Sequence, residues 1–413
     1  MSKRLFYIAQ YFSPEPYLKD ITFINDLKKK GWDPIVITSF PSYPKGKIYK
    51  GYKNALFKVE IVEGIKVVRV FTFPYHGLNA LKKSLFYFTF SFFSSLAVIW
   101  YGRSQCLYYV LQSSPFVIFN AWVIRLFKPR STILLDVQDI FPENIRVSGF
   151  IKYKWIIQLL DFILNHFYYK SFDLFVVVSK SFKKILIQKN IVPEKIITIY
   201  NWSLVENQKE PILFTKSTGF DPQFFHIVYA GNIGVHQGLS KLSKGFNSVT
   251  ILFPKIKFHF FGNGTDKGGL FIALKNNNSV FFHGRVPPEE ITKYLESADV
   301  LFLQLVKDPV YKYIIPSKLQ AYIEIGKPIL GGLEGEAEKI ILDNQLGETF
   351  DPENNEAFLN ALTRILKYDL IQKEKINKIS KKLYQSEFSR EAGIHKLNDF
   401  LQLSYDNQNG RKK

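Results

Sequence analysis

A single cysteine, Cys106, occurs in the 413 residues of the chain. This scarcity excludes an internal disulfide and a metal site built from cysteines, and it favours a reducing compartment. The first apolar run, Leu5 to Ala9, is too short for the hydrophobic region of a secretory signal peptide. We therefore expect a cytoplasmic protein.

Sequence patterns typical of metal-dependent enzymes are also missing. There is no Asp-x-Asp motif, and an isolated aspartate such as Asp308 is more typical of a turn. The 7 histidines have no His-x-x-x-His spacing, which argues against a zinc site. We expect no metal cofactor.

Acidic residues are less frequent than basic ones. The chain has 36 Asp and Glu and 55 Lys and Arg, which gives a net charge of +19. This excess favours an anionic partner, which can be nucleic acid, an anionic membrane face or a phosphorylated substrate. We find no helix-turn-helix, zinc module or RNA-binding aromatic signature, so we expect no nucleic-acid partner. Between Pro44 and Lys58, lysines alternate with aromatic residues and no acid occurs. Such a segment is either a solvated loop or a contact for anionic headgroups or a lipid diphosphate.

Aromatic residues are abundant, at 16% of the chain. They indicate either a Phe-rich core or a surface that meets lipid or stacks on a ligand. Ser84 to Trp100 has no charged residue and reaches the lower length limit of a spanning helix, but it contains several Ser and Thr. It is a membrane span, a buried helix or a partly lipid-facing helix. The apolar stripe between Lys152 and Lys170 fits core packing or a membrane contact.

Length and hydrophobic pattern predict two α/β domains. The chain opens with an apolar strand, a helix that ends at Gly31 and a second apolar strand from Pro34 to Thr38, which is a βαβ unit. A second series of short apolar strands begins at Phe225, and each strand ends at a glycine or a helix start. We predict two doubly wound Rossmann-like domains that face a cleft, with ligands beyond the carboxyl ends of the strands. The expected boundaries are 1–205 for the first domain, 206–385 for the second, and 386–413 for a helix that packs back on the first domain and ends in a basic tail.

Three strand ends of the second domain carry chemistry suited to phosphate. Gly231-Asn232-Ile233-Gly234 and Gly262-Asn263-Gly264 are turns whose backbone can approach a phosphate closely. Pro316-Ser317-Lys318 begins a helix and adds a cation to its unpaired N–H groups. One glycine turn alone is common without a ligand, but the three strand ends together predict a nucleotide-sugar site.

At this point the chain resembles the family-four retaining glycosyltransferases of GT-B fold, in particular the branch of capsule and O-antigen biosynthesis that includes N-acetyl-L-fucosamine transferases. The resemblance runs from residue 5 to about residue 345 and specifies fold and reaction class rather than the sugar. The segments that carry it are Gln10-Tyr11-Phe12-Ser13-Pro14-Glu15, Phe40-Pro41-Ser42-Tyr43-Pro44-Lys45-Gly46, Gln138-Asp139-Ile140-Phe141-Pro142-Glu143, Asn201-Trp202, Ala230-Gly231-Asn232-Ile233-Gly234-Val235-His236-Gln237-Gly238, Pro316-Ser317-Lys318-Leu319-Gln320 and Gly335-Glu336.

The resemblance implies a donor bound mainly by the second domain and an acceptor bound by the first. It implies that Gly231, Asn232 and Gly234 line the donor diphosphate and that Gln237 and Lys318 face its oxygens. The strand end with Arg285 would contact the base. Asp139 and Glu143 are the acid candidates near the reacting sugar. The donor set of the second domain is therefore Gly231, Asn232, Gly234, Gln237, Gly262, Gly264, Arg285, Ser317, Lys318 and Gln320.

The activity implied is transfer of a hexosyl or N-acetylhexosaminyl group, with retention, from a nucleotide-sugar that we expect to be UDP-linked. The acceptor would be a lipid-diphosphate-linked glycan of capsule or O-antigen biosynthesis, and the enzyme would lie peripherally on the cytoplasmic face of an anionic inner membrane. Two alternatives stay open. One is a non-catalytic GT-B protein that binds anionic membrane or nucleic acid, and the other is a UDP-amino-sugar epimerase of GT-B fold.

The chain also departs from the wider family. Many members have two glutamates, eight residues apart, at the donor helix, where this sequence has Tyr313 and Ala321. Ribose recognition is then unassigned. Gln320 and Glu324 are the candidates to replace the missing glutamate, and an exposed structural role is the alternative for Glu324. Asn232 and Gln237 stand where Arg and Lys are usual, and Tyr17-Leu18-Lys19 replaces a glycine pair in the first loop.

Overall fold

A computed structural model describes residues 3–77, 79–141, 154–203 and 220–410. The chain divides into two compact units. Unit 1 consists of Met1–Ile199 and Ile394–Lys413, and unit 2 consists of Tyr200–Gly393. Most of the polar connection expected between the domains lies outside the described residues.

Unit 1 is built on an 8-stranded sheet with the order β3-β4-β2-β1-β5-β6-β7-β8. Its strands are β1 Lys3–Ala9, β2 Trp32–Ser39, β3 Phe57–Val62, β4 Ile65–Val70, β5 Leu107–Leu111, β6 Thr132–Val137, β7 Leu174–Val177 and β8 Ile196–Thr198. The edge strand β3 is antiparallel to β4, and the other recorded pairings are parallel. The strand order reverses between β1 and β5, and ligands of doubly wound sheets bind at such a switch point.

The helices of unit 1 cover a sheet whose inner strands are almost wholly buried. They are α1 Ile21–Lys29, α2 Ala80–Tyr101, α3 Ile118–Phe127, α4 Lys154–Ile163, α5 Lys180–Gln188 and the later part of α13 Arg390–Gly410. Local sequence explains where they begin, because Asp20 accepts a hydrogen bond from the N–H of Thr22 and Ser179 accepts one from that of Phe182. The indole N–H of Trp32 donates to Asn398 at 3.1 Å and so ties α13 to β2.

The uncharged stretch from Ser84 to Trp100 lies within α2. Within the described residues this helix alone is long and apolar enough to cross a membrane, although a core helix of a soluble protein can meet the same criterion. One side of α2 contacts β2 and β4 and buries Phe86 and Phe90. The opposite side is exposed. A helix packed on a sheet in this way does not span a bilayer in this conformation.

Unit 2 has a 6-stranded parallel sheet with the order β11-β10-β9-β12-β13-β14. Its strands are β9 Phe225–Ala230, β10 Ile256–Phe261, β11 Val280–Gly284, β12 Val300–Gln304, β13 Ile329–Gly332 and β14 Gly347–Phe350. Its helices are α6 Ser243–Leu252, α7 Lys267–Leu274, α8 Pro288–Ser297, α9 Ser317–Ile325, α10 Glu336–Asp343, α11 Asn355–Ile365 and α12 Leu370–Leu383. Apolar cores fill both faces of the sheet, and the order reverses between β9 and β12.

The predicted fold class is confirmed in that both units are Rossmann-like α/β domains. Three strands were not expected from the sequence, namely β3, β8 and β14. The edge strand β3 is mostly exposed and carries Lys58 and Glu60, so it lacks the continuous apolar run of a central strand. The strand β8 has only 3 residues, too few to show a pattern, and β14 has no apolar run among its 4 residues.

A row of histidines crosses the sheet of unit 2. Nδ1 of His226 lies 3.0 Å from Nε2 of His259, and Nδ1 of His259 lies 3.0 Å from Nε2 of His283. Nε2 of His226 lies 2.8 Å from the backbone oxygen of Asp221, which can only accept. Each ring in the row therefore donates through Nε2, and His226 and His259 accept through Nδ1. Burial, and then the neighbouring histidines and Lys257, lower the pKa of His259 to about 3.

This row predicts that unit 2 loses stability in mild acid. His259 stays neutral in the folded state and takes up a proton near its ordinary pKa in the unfolded state, so its contribution is full above pH ~6.5 and is lost as the pH falls toward 3. The slope reaches at most about 1.4 kcal/mol per pH unit. Hydrogen-exchange mass spectrometry of β10 between pH 7 and pH 5 measures this dependence of stability on pH. The measured rates are first corrected for the pH dependence of intrinsic amide exchange.

In a His259→Gln variant we expect a shallower slope. The exposed His395 on α13 supplies the control, because His395→Gln leaves the slope of β10 unchanged. Protection of β10 that does not depend on pH in the wild type would contradict the assignment of a neutral His259.

Candidate functional site

The carboxyl ends of β9 and β10 approach each other closely in unit 2. Gly231 follows β9 and Gly262 follows β10, and both have φ near +135°, a conformation that favours glycine. A Cβ atom on Gly262 would lie 1.8 Å from the carbonyl oxygen of Gly231. Any side chain at Gly262 would therefore push the two strand ends apart.

The start of α9 is held above these strand ends by Tyr322. The hydroxyl of Tyr322, on α9, accepts from the N–H of Ala230 and donates to the carbonyl of Phe302, both at 3.1 Å. These two bonds attach the helix to β9 and β12, the strands on either side of the switch point. Lys318, one turn earlier on α9, consequently lies over Gly231, where an added Cβ would come within 2.5 Å of Lys318 Cε.

Lys318 is a half-buried cation. Its Nζ lies 5.0 Å from the centre of the Tyr229 ring, and burial lowers its pKa to about 8. Among the described residues no carboxylate pairs with it, and none accepts from the backbone N–H groups of Ser317 and Lys318. A desolvated ammonium and the positive end of a helix thus share one place without an opposing charge, which is the arrangement that binds an anion.

The turn after β9 is already hydrogen-bonded within the protein. Oε1 of Gln237 accepts from the N–H of Gly234 at 3.1 Å and from Nδ2 of Asn232 at 3.2 Å. The N–H of Gly231 donates to the carbonyl of Phe261 at 2.9 Å. These polar groups already have hydrogen-bond partners within the protein. The glycines therefore contribute mainly because they leave room for a ligand to approach the backbone closely. Gly264 does the same, since a Cβ there would lie 2.3 Å from the carbonyl oxygen of Ile233.

Gln304, at the end of β12, belongs to this site and was missed in the sequence. Its side chain is buried, and Nε2 donates to the carbonyl oxygens of Gln237 and Gly238 at 3.1 and 2.9 Å. Its Oε1 has no hydrogen-bond partner among the residues that the structure describes. The available signal was a polar residue that ends the apolar strand Val300–Leu303 at the switch point.

The structure thus brings seven of the predicted donor residues together: Gly231, Asn232, Gly234, Gln237, Gly262, Gly264 and Lys318. Ser317 lies exposed in the first turn of α9, and Gln320 is buried farther along this helix. Arg285 is exposed immediately after β11, and the carbonyl of its neighbour Gly284 accepts from the N–H of Gly262 at 2.6 Å.

The predicted acid Asp139 lies at a strand end of unit 1. It follows β6 with an exposed side chain, and its N–H donates to Oε1 of Gln112 at 2.9 Å. Gln112 in turn donates to the hydroxyl of Tyr168 at 2.9 Å, so the backbone of Asp139 is held from β5. Burial first, and the charge of Asp139 among other causes, raise the pKa of Tyr17 and Tyr87. Glu143, the second predicted acid, lies outside the described residues.

Aromatic rings cluster where β1, β2 and β4 end. Tyr11 lies 5.4 Å from Tyr17, 5.5 Å from Tyr43 and 6.1 Å from Phe86, measured between ring centres. The ring of His76 lies 5.2 Å from that of Tyr43. We call these five residues the tyrosine cluster. Tyr43 is exposed, and Tyr11, Tyr17 and His76 are half-buried. Tyrosine and histidine rings with polar tips at strand ends suit a ligand that has both apolar faces and hydroxyl groups.

Beside this cluster lies Gln10, the residue directly after β1. It is fully buried, yet neither its Nε2 nor its Oε1 has a partner in the part of the chain described. The hydroxyl of Ser114, shortly after β5, is likewise buried without a partner there. Because β1 and β5 flank the switch point of unit 1, these groups mark a place for a polar ligand.

The Tyr17-Leu18-Lys19 departure in the first loop has a structural explanation. Lys19 is buried and forms an ion pair with the fully buried Asp136 on β6, and Tyr109 also donates to this carboxylate. Gln138 donates to the other oxygen of Asp136 at 2.6 Å. The lysine therefore fixes the first loop to the end of β6, a few residues before Asp139.

We predict that Gly262→Ala lowers the stability of unit 2 by roughly 1–3 kcal/mol and impairs nucleotide binding, since the new Cβ meets Gly231 and φ is positive. Gly268→Ala is the matched control: it lies in α7 with nothing within 4 Å and should stabilise by about 0.5–1 kcal/mol. Urea unfolding and titration with UDP measure both effects. If the two variants have the same stability and the same affinity for UDP, the close approach of Gly262 to Gly231 is contradicted.

Parts of the chain are similar in sequence to known glycosyltransferases. The family described as "Glycosyl transferases group 1" matches residues 213–384, which lie in unit 2. A curated relative, "Probable glycosyltransferase WbjE" from Pseudomonas aeruginosa, is 25% identical over 281 residues, 64% of this chain and 66% of the relative. The match therefore spans just under two thirds of that relative's length.

Solved structures show the same fold. Sucrose-phosphate synthase from Thermosynechococcus elongatus has a TM-score of 0.69 at 14% identity and covers 98% of this chain and 100% of its own. HepE from Anabaena, solved with UDP and glucose, has a TM-score of 0.62 at 12% identity and covers 97% and 99%. Trehalose 6-phosphate synthase from Burkholderia multivorans has a TM-score of 0.70 at 9% identity and covers 100% and 98%. Residues 213–384 therefore match the group 1 glycosyltransferase family, and the chain as a whole has the GT-B fold of these neighbours.

Proposed function

We propose that this chain transfers a sugar, with retention, from a UDP-sugar to a lipid-diphosphate-linked glycan in cell-surface polysaccharide biosynthesis. The observation that carries the proposal is the half-buried Lys318 over Gly231, at the switch point of a unit that matches group 1 glycosyltransferases. UDP is the first nucleotide to test because HepE, a neighbour in fold, was solved with UDP. The resemblance to the N-acetyl-L-fucosamine transferase branch adds N-acetylated amino sugars to the donor panel.

Lys318 and the start of α9 would hold the donor diphosphate. When the bond from the anomeric carbon to the phosphate oxygen breaks, UDP leaves with the electron pair and negative charge grows on that oxygen. A cation and helix N–H groups already fixed in place stabilise this charge without reorganisation. The acceptor oxygen joins the anomeric carbon, and its proton passes to the departing diphosphate oxygen, so the products are the glycoside and UDP. We propose that Asp139 is the acid group near the reacting sugar and that no metal takes part.

Unit 1 would bind the acceptor. The tyrosine cluster offers ring faces for a sugar, and Gln10 offers an amide that lacks hydrogen-bond partners among the described residues. The lysines between Pro44 and Lys58 add positive charge suited to a lipid diphosphate, although Lys58 itself pairs with Glu60 at 3.1 Å. A lipid-linked acceptor requires that the protein, which we expect to be cytoplasmic, work at the inner membrane surface.

Replacement of Lys318 tests the donor site. We expect Lys318→Ala to weaken UDP binding roughly ten- to hundredfold, because a charge-assisted contact contributes about 1.5–3 kcal/mol. Lys318→Arg keeps the charge and should retain more of the affinity. Lys378→Ala, an exposed lysine on α12, is the control and should bind UDP as the wild type does. Calorimetric titration measures all four proteins, and unchanged affinity in Lys318→Ala would contradict the diphosphate role.

Metal removal tests the charge stabilisation. If Lys318 and the helix start suffice for the leaving group, the rate of transfer is the same before and after dialysis against EDTA. A loss of activity that Mg²⁺ or Mn²⁺ restores would show that a divalent ion supplies this charge instead.

The whole proposal is tested by mass spectrometry of reactions that combine a panel of nucleotide-sugars with undecaprenyl-diphosphate-linked acceptors. The expected product is an acceptor extended by one sugar, and proton NMR of the new linkage should show the anomeric configuration of the donor. An epimerised nucleotide-sugar formed without acceptor would indicate the epimerase instead. No turnover of any donor, together with tight binding to anionic vesicles or RNA, would indicate a non-catalytic protein.

A further inference from the structure

The helix α2 buries three serines beside its apolar core residues, and its exposed side carries aromatic rings. Ser91, Ser94 and Ser95 are buried, and Nδ2 of Asn120 on α3 donates to the hydroxyls of Ser94 and Ser95 at 2.8 and 3.0 Å. Phe88 and Phe92, on the other side of α2, are 40% and 47% exposed. A surface helix in water normally exposes polar side chains on the face that is turned away from the core, not aromatic rings.

The exposed rings continue from α2 across its neighbours. Phe88 lies 6.2 Å from Phe92 and 6.0 Å from Phe119 on α3, and Phe119 lies 5.6 Å from Trp122, again between ring centres. The indole N–H of Trp122 donates to the hydroxyl of Ser171 at 3.1 Å, and this hydroxyl donates to the carbonyl of Phe167. We define the aromatic face by its exposed members: Leu85, Phe88, Phe92, Trp122, Leu126 and Phe167.

The charge around this face has one dominant sign. From Gly64 to Leu135 the sequence contains no Asp or Glu. Lys82 is exposed at the start of α2, and Arg103 and Arg130 are exposed after α2 and α3. At the border of the face, Arg125 pairs with Asp173 at 2.6 Å. Apolar rings within a margin of cations match the apolar interior and the anionic headgroups of a bilayer.

The positions of the tryptophans also fit a surface that contacts a bilayer. Of the 5 tryptophans in the chain, Trp100, Trp122 and Trp155 are exposed, and they lie in α2, α3 and α4. Tryptophan is favoured at the boundary between lipid and water, where its ring is buried and its N–H stays wet. A second copy of the chain is a poorer occupant, because two such faces would bring like charges together with few carboxylates to pair them.

We propose that the aromatic face docks unit 1 on the surface of an anionic lipid bilayer. The helix α2 lies flat on the lipid and does not cross it, because its serines stay bonded to Asn120 and its inner side stays on the sheet. The first turns of α2 also carry Phe86 into the tyrosine cluster, 6.1 Å from Tyr11. Docking therefore places the cluster beside the headgroups, where a lipid-diphosphate-linked sugar would be presented. In this respect the inference rests on the proposed function.

The test is co-sedimentation of the full chain with vesicles of phosphatidylcholine alone and of phosphatidylcholine with phosphatidylglycerol. We expect binding to the anionic vesicles that weakens with salt, and a drop of roughly tenfold or more in the double variant Phe88→Asn, Phe92→Asn. The matched control is Leu370→Asn, Ile371→Asn on α12, whose side chains are each 78% exposed in unit 2. The control should bind vesicles as the wild type does.

Folding is checked separately, because the Phe88, Phe92 variant should keep the wild-type melting temperature and UDP affinity. Wild-type protein that stays unbound with anionic vesicles at physiological salt overturns the proposal. Equal loss of binding in both double variants overturns it as well, and so does a dimer in the wild type that the Phe88, Phe92 variant breaks without any vesicle binding.

Failure of this inference and failure of the proposed function give different results. If the face does not bind lipid but the function is right, vesicle binding is absent while transfer to a water-soluble, short-chain acceptor proceeds. If the face binds lipid but the function is wrong, vesicle binding depends on Phe88 and Phe92 while no donor is turned over.

Discussion

The proposed donor site depends on one contact, the passage of the Lys318 side chain across Gly231. The contact needs a glycine below the lysine, because a Cβ there would strike Lys318 Cε, and it needs Tyr322 to hold α9 against β9 and β12. It also removes the ammonium from water without giving it a carboxylate among the described residues, which is why its pKa falls to about 8. A desolvated lysine without a carboxylate partner gains more free energy from binding an anion than a solvated lysine would.

Unit 1 shows a different constraint, in which one helix buries serines and exposes aromatic rings. Ser94 and Ser95 are buried against Asn120, and Phe88 and Phe92 are exposed. The same helix reaches the tyrosine cluster through Phe86. One element of unit 1 therefore links a surface suited to lipid with strand ends suited to a sugar, and this link is what a lipid-linked acceptor requires.

The sequence predicted the two α/β units, and it predicted that the glycine turns and the start of α9 lie together at the strand ends of the second one. It could do so because strand periodicity, glycine turns and the Pro316-Ser317-Lys318 helix start are local signals. It did not reveal Gln304 or Gln10, because the role of each amide depends on where the strand order of its sheet reverses. Nor could the stretch from Ser84 to Trp100 be resolved, since its composition fits a span, a core helix or a lipid-facing helix equally. The packing of Phe86 and Phe90 against the sheet and the bonds from Asn120 show which side of α2 is buried.

The central claim, that a diphosphate binds beside a desolvated Lys318, is tested most directly by proton uptake on UDP binding. Calorimetry at pH 8 in two buffers of different ionisation enthalpy measures it. With a pKa of about 8 that the diphosphate raises on binding, the wild type should take up about half a proton, and Lys318→Arg should take up almost none. No proton uptake in the wild type, or equal uptake in both proteins, would contradict the account.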